Sequence, residues 1–302
     1  APLAMPELIG VDLGGTAIKL GRFSPEGEQL DVLQVPTPQP AVPGAVTTAI
    51  VAAVQQLDPQ RLADRVGVGH PGPSDLAGRV ARIAINLPGW LDVPLANWLE
   101  PLLERPVTLA NDANCALIGE HWLGAACGVG DVVLLTLGTG VGGAVLLDGQ
   151  LFTGHRGAAA EPGLIGLDPA GPPCNSGNNG SLESFCSRRG FDRLSSVDPA
   201  ELCRRAAGGD GEALAVWRAY GQLLGQGLSS LLYVLTPELV LIGGGLSGAS
   251  DHFLPAVWQE VEQRVQAASR EGLTIRRCSL GNGAGRLGAA RLALQRLEPG
   301  LG

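Results

Sequence analysis

The sequence predicts an α/β fold built from two similar domains, and three observations carry that expectation. Apolar runs of strand length alternate with stretches of helical periodicity. A strand–glycine-turn–strand unit occurs twice, in Glu7–Phe23 and again in Asp131–Leu147, about 125 residues apart. The chain has 302 residues, enough for two domains at ~100–200 residues each.

Taken in order, Glu7–Leu13 and Ala17–Phe23 are strands joined by the turn "GGT". The proline-rich stretch Pro36–Gly44 is an extended loop, because proline lacks an amide hydrogen and fixes φ. Val46, Ala49, Ile50, Ala53, Val54 and Leu57 recur at helical spacing. Arg65–Gly69 is a strand ending in "HPGP", and Val107–Ala110 is a strand ending in "NDAN", with a helix starting over Ala116–Trp122. The second hairpin follows as "VVLLTL", "GTGVGG" and "AVLLDG". Ala158–Ser187 reads mostly as loop, with a short helix near "SLESF". Leu214, Trp217, Leu224, Leu228, Leu231, Leu232 and Leu235 mark a long buried helix. "PELVLIGGGLS" is a strand running into glycines, Leu254–Val265 an amphipathic helix, "LTIRRCSL" a late strand and Ala284–Leu297 a closing helix. The expected division is residues 1–110 plus about 290–302 for a small first domain and 111–289 for a larger second one, with the closing helix crossing back. The many glycines and prolines punctuate periodic segments and read as tight turns.

Composition excludes some function classes. The net charge is −8 and no Lys/Arg cluster exists, which argues against a nucleic-acid partner. No apolar run approaches the ~20 residues of a membrane helix, and the opening "APLAMPELIG" lacks the basic and apolar regions of a signal peptide. Cys115, Cys127, Cys174, Cys186, Cys203 and Cys278 are scattered, with no C-x-x-C pair, as expected of free thiols in a cytoplasmic protein.

Five short motifs carry the candidate chemistry. In "DLGGT", the backbone at Gly14, Gly15 and Thr16 can approach an anion closely, and Asp12 can act on a phosphate through Mg²⁺. The same stretch also reads as an ordinary hairpin turn. "LGTGVGG" offers Gly138, Thr139 and Gly140 in the same way; it lacks the Lys-Ser/Thr of a Walker loop and sits between strands, not before a helix. Two such turns can hold one polyphosphate from both sides. Gly243, Gly244 and Gly245 in "IGGG" admit either a flat adenine ring or close packing of backbone. "NDAN" at a strand end faces the ligand crevice of an open α/β sheet, where Asp112 can accept a hydroxyl proton and Asn111 can orient a sugar hydroxyl. It equally fits a helix N-cap. The stretch "CNSGNNGSLE" has the look of a metal-binding box stripped of most ligands.

Together, "VDLGGT", "PGPSD", "NLPGW", "NDANCA", "LTLGTGVGG", the box and "LIGGG", in this order from about Ile9 to Gly288, resemble the ROK family (repressors, open reading frames, kinases). Its enzymes are mostly sugar kinases of the two-domain actin/hexokinase-type (ribonuclease H-like) fold with a cleft between the domains. The resemblance implies transfer of the γ-phosphoryl of Mg-ATP to the 6-hydroxyl of a hexose, glucose in the first instance. By the same resemblance Asp112 is the catalytic base, Asn111 and Asn86 face the sugar, and Glu161 and Glu183 hold sugar hydroxyls. The family's box binds zinc through three cysteines and a histidine. Leu164, Cys174, Ser176 and Ser181 occupy those positions here, so no zinc is expected, and hydrogen bonds from Asn175, Ser176, Asn178 and Ser181 are expected to replace it. The family's histidine also touches the sugar, a contact Leu164 lacks. Family members are often dimers. The alternatives are a catalytically silent sugar-binding regulator, a kinase for another sugar such as N-acetylmannosamine or fructose, and a polyphosphate donor, since "PTPQP" and the altered box resemble polyphosphate glucokinases.

Overall fold

The computed structural model describes residues 6–84 and 86–295. The first unit opens with an antiparallel meander of β1 (Glu7–Leu13), β2 (Ala17–Phe23) and β3 (Gln29–Pro36). Helix α1 (Pro43–Leu57) buries Val46, Ile50, Val54 and Leu57 and returns the chain to β4 (Ala63–His70), parallel to β1. A small hairpin, β5 (Ala81–Ile83) with β6 (Leu91–Val93), and helix α2 (Leu95–Leu103) lead to β7 (Val107–Asn111) and α3 (Asp112–Leu123). The sheet order is β3-β2-β1-β4-β7.

In the second unit, β8 (Val132–Leu137), β9 (Val141–Leu147) and the two-residue β10 (Gln150–Leu151) form another meander. Short helices α4 (Leu182–Cys186) and α5 (Arg188–Phe191) precede α6 (Pro199–Ala207) and the long α7 (Gly211–Leu235). Then come β11 (Leu239–Gly243), α8 (Ser250–Arg264), α9 (Ala267–Arg270) and β12 (Thr274–Arg277). The order is β10-β9-β8-β11-β12, with β11 and β12 parallel to β8. Three antiparallel strands followed by two parallel ones is therefore the plan of both sheets. The internal repeat that the two glycine hairpins suggested extends to whole sheets. The second core is centred on Phe191, Trp217, Tyr220 and Phe253, whose rings meet tilted or edge-on with centroids 4.8–6.0 Å apart.

Helix α10 (Ala284–Gln295) belongs to the first unit and lies on β1, β4 and α3. It sits so close that a Cβ at Gly10 or Gly67 would collide with its Arg286 or Ala289 carbonyl. These two glycines are in strands, so the expectation that glycines mark tight turns misses them; bare backbone is what lets the helix approach. Where the chain re-enters this unit, fully buried Glu120 of α3 accepts from the amides of Ser279 (3.1 Å) and Leu280 (2.8 Å), the Ser279 hydroxyl (3.0 Å) and the Ala125 amide (2.8 Å).

The compact units run through Gly128, with Thr153–Ala159 and the chain from Ser279, and over Val129–Phe152 with Ala160–Cys278. The boundary expected near residue 110 would have cut α3 from the first unit, yet α3 has its packing partner in α10. Residues 296–297 of the expected closing helix lie outside the described residues. No described helix is long and apolar enough to cross a membrane.

Candidate active site

Parallel strands β1, β4 and β7 end on one edge of the first sheet. Their register aligns Asp12 with Gly69 and His70 with Asn111. The Gly14–Thr16 turn closes β1 and β2. All three of its carbonyls are occupied: Gly14 by the Thr37 hydroxyl (2.6 Å), Gly15 by the Gln39 amide (2.9 Å) and Thr16 by the Thr37 backbone N–H (2.9 Å). Gly14 N–H bonds back to Ala17. The Gly15 and Thr16 amides have no backbone acceptor among the described residues, and both residues are exposed, as an anion cradle requires. Thr37 and Gln39 come from the extended "PTPQP" stretch, whose local pattern carries no sign of this role.

Asp12 pairs across β1–β2 with Lys19. Burial pushes its carboxyl above the usual carboxylate range, against the pull of Lys19 and Arg286. Gly285 gives it room: a Cβ there would lie 3.0 Å from the carboxyl carbon. A half-buried, half-compensated carboxylate beside free amides suits a divalent cation carried by a phosphate chain.

Asn111 is the N-cap of α3. Its Oδ1 accepts from Ala113 (2.9 Å) and Asn114 (3.2 Å), and its Nδ2 donates to the Gly72 carbonyl (3.0 Å). The cap reading of "NDAN" thus holds for Asn111, and one amide hydrogen remains for a ligand. The helix starts at Asp112, four residues before the expected Ala116, because the cap satisfies its first amides. Asp112 occupies the first helical position, partly exposed, its Oδ1 2.8 Å from the Ala113 amide. Asn86 is exposed in the turn between β5 and β6.

His70, at the end of β4, supports this edge from within. It is fully buried; Nδ1 lies 2.9 Å from the Pro71 carbonyl and Nε2 2.7 Å from the Ser74 hydroxyl. Nδ1 therefore carries the proton and Nε2 accepts from Ser74. Burial drives its pKa down to about 4, against the Pro71 hydrogen bond. The pair fixes the turn whose Gly72 carbonyl holds Asn111. A histidine directly before "PGPS" was the available signal.

The second unit carries the other glycine turn. Gly138 donates to the Gly140 carbonyl (3.0 Å), and the Gly138 carbonyl accepts from the Arg188 amide (2.7 Å), while Thr139 is exposed. Glu183, at the start of α4, accepts the Val141 amide at 2.9 Å and lies against Gly140, where a Cβ would strike its carboxylate. Gly140 thus makes room for a carboxylate, a role the sequence did not suggest. Glu161 follows Ala160, held at φ 64°, and leads into a 3-10 turn at Pro162–Leu164 that packs on β9. Burial raises the Glu161 carboxyl's pKa, and the nearby Glu183 adds to it. The two glutamates and the Gly138–Gly140 turn are therefore brought together. In "IGGG", Gly244 (φ 82°) lies on the Leu137 backbone, and Gly243 is buried where a Cβ would come within 3.1 Å of the Cys278 sulfur. Backbone packing, the alternative to adenine contact, accounts for both; Gly245 is open and exposed.

In the box, Cys174 donates its amide to the Asn178 carbonyl and accepts Gly177, and isolated bridges join Pro173 to Asn179 and Gly166 to Ser181. Burial pushes the Cys174 thiol up, but the Ser176 hydroxyl and amide and the Ser181 hydroxyl outweigh it and hold it below its usual value. Ser181, fully buried, also caps α4. One thiol, two hydroxyls and the half-exposed Leu164 do not form a tetrahedral zinc set.

A duplicated α/β plan, each half presenting amides from a glycine turn at a sheet edge, defines a phosphate-handling protein of the two-domain hexokinase-like class. The chain belongs to the ROK family, which it matches over residues 8–296. It is 33% identical over 317 residues to the glucokinase of Halalkalibacterium halodurans, covering 95% of this chain and 94% of that one. It superposes on the ROK hexokinase of Thermus thermophilus with a TM-score of 0.85 at 35% identity, covering 97% of this chain and 100% of that one. For the ROK family glucokinase of Streptomyces griseus, solved with glucose and AMPPNP, the TM-score is 0.83 at 31% identity, with 96% and 99% covered.

Proposed function

We infer that this chain is an ATP-dependent glucose kinase that transfers the γ-phosphoryl group to the 6-hydroxyl. The observation that carries the reading is the pair of glycine turns: the Gly14, Gly15 and Thr16 carbonyls of the first and the Gly138 and Gly140 carbonyls of the second are occupied within the chain, leaving the Gly15, Thr16, Thr139 and Gly140 amides for a phosphate chain. The glucokinase relatives at 32–33% identity over nearly the whole chain support the substrate.

In this reading Asp112 accepts the proton of the attacking hydroxyl as the oxygen–phosphorus bond forms and the bond to the leaving ADP oxygen breaks. Asn111, with its spare amide hydrogen, and Asn86 bind sugar hydroxyls. Glu161 and Glu183 do the same; the raised pKa of Glu161 suits it to sharing hydrogens with an alcohol. The amides of Gly15 and Thr16, with those of Thr139 and Gly140, donate to phosphate oxygens, while Gly14 and Gly138 spend theirs holding the turns, and Gly245 leaves backbone open to the adenine. Mg²⁺ carried with the nucleotide supplies charge neutralisation, and Asp12 is the residue suited to hold it or its waters. The box loop is proposed to stand without zinc. The same reading takes the protein as cytoplasmic, and its six cysteines are free thiols.

The test is sugar phosphate formation measured over a panel of hexoses and N-acetylhexosamines, with ATP (read also as ADP release) and inorganic polyphosphate as donors. Glucose with ATP is expected to turn over fastest. No sugar phosphate formed with any pair would leave the regulator reading in its place.

A further inference from the structure

The second unit contains a small open cavity of about 50 Å³ beside the Gly138–Gly140 turn. A water needs roughly 10–15 Å³ on this measure, so the space matches a few oxygen-sized groups, not a nucleotide. Its polar lining is unusual for so acidic a chain. Arg189 and Arg193 both face it, together with Thr139 and Ser187.

Arg189 is exposed and makes no hydrogen bond or ion pair among the described residues. Other cations in this region are engaged; Arg188, for example, is paired with Asp192 and Asp198. Arg193 spends one N–H on the Ser184 carbonyl, leaving the rest of its guanidinium fork. Ser187 accepts the Gly190 amide at 3.2 Å, so its own hydrogen is free to donate. Glu183 is the only carboxylate in the lining, and its Oε2 already accepts the Val141 amide. Two guanidinium groups against one carboxylate leave the cavity cationic, with hydroxyl donors at its wall.

We propose that this cavity is an oxyanion subsite that takes a phosphate group, with Arg189 as its main determinant. Guanidinium forks match phosphate oxygens, and hydrogen bonds to charged groups are the strong ones. The phosphate comes either from the donor's phosphate chain or from free phosphate. The first source rests on the reading of the Thr139 turn as a phosphate cradle; the second does not.

The experiment is a calorimetric titration with inorganic phosphate at constant ionic strength, without sugar. The wild-type chain should bind saturably. Arg189→Gln should weaken binding by about tenfold to a hundredfold, in line with ~1.5–3 kcal/mol for a charged hydrogen bond, and Arg189→Lys should recover part of it. Arg189 has no partner to lose, so circular dichroism of the variants should be unchanged. Repeating the titration after loading with AMPPNP separates the sources: exclusion of phosphate assigns the subsite to the donor, and continued binding assigns it to free phosphate. Absence of saturable binding to the wild type, or equal binding by Arg189→Gln, overturns the proposal. Because no turnover is read, a chain that binds phosphate yet phosphorylates no sugar would refute the kinase reading and leave the subsite standing.

Discussion

His70 shows how a residue remote from chemistry can set its geometry. Both ring nitrogens are used, and the turn they fix supplies the carbonyl that holds Asn111, the cap directly before Asp112. The imidazole must stay neutral, because its buried surroundings offer an acceptor on one side and a hydroxyl donor on the other. The linkage has a definite sign. On acidification the unfolded chain protonates its histidine at about 6.5, while the folded one resists to about 4. The unfolded state therefore binds more protons in between, and stability is lost as pH falls through that window. A shift of this size corresponds to about 3 kcal/mol. His70→Gln, which cannot titrate, should be the less stable form at pH 7 and should close the gap on wild type by pH 4.5. Urea unfolding at the two pH values checks this, and a gap independent of pH would contradict it.

At the scale of elements, the two glycine hairpins were readable because their signal is local: an apolar run, a turn, an apolar run. What holds them was not. Thr37 and Gln39 reach back 23 and 24 residues to occupy the first turn's carbonyls, and Glu183 reaches 42 residues to the second. Gly10 and Gly67 were unreadable for the same reason, since a close approach by a helix more than 200 residues away leaves no local trace. Asn111 was legible only as a choice between cap and ligand, and one amide can serve both. The box is the converse case, where the sequence pattern was informative because ligand chemistry is strict. Gly177 and Gly180 keep their turns at φ 87° and 59°, and Ser176 and Ser181 hydrogen-bond where thiolates would ligate. Purified protein should therefore contain well below one zinc per chain by elemental analysis, with a melting temperature unmoved by chelator. About one zinc per chain, with a melting temperature that falls on its removal, would contradict this.

For the whole molecule, the repeated five-strand plan gives each unit a sheet edge with a glycine turn, and the sequence differences between the repeats divide the work. The first edge carries Asp12, Asn111 and Asp112; the second carries Glu161, Glu183 and the arginine-lined cavity. If Asp112 is the base for transfer from ATP to glucose, steady-state turnover of Asp112→Asn beside wild type reads it out. The account predicts a fall in kcat of about a hundredfold to ten-thousandfold, with unchanged urea unfolding and little change in KM for ATP. Near-normal turnover in that variant would contradict it.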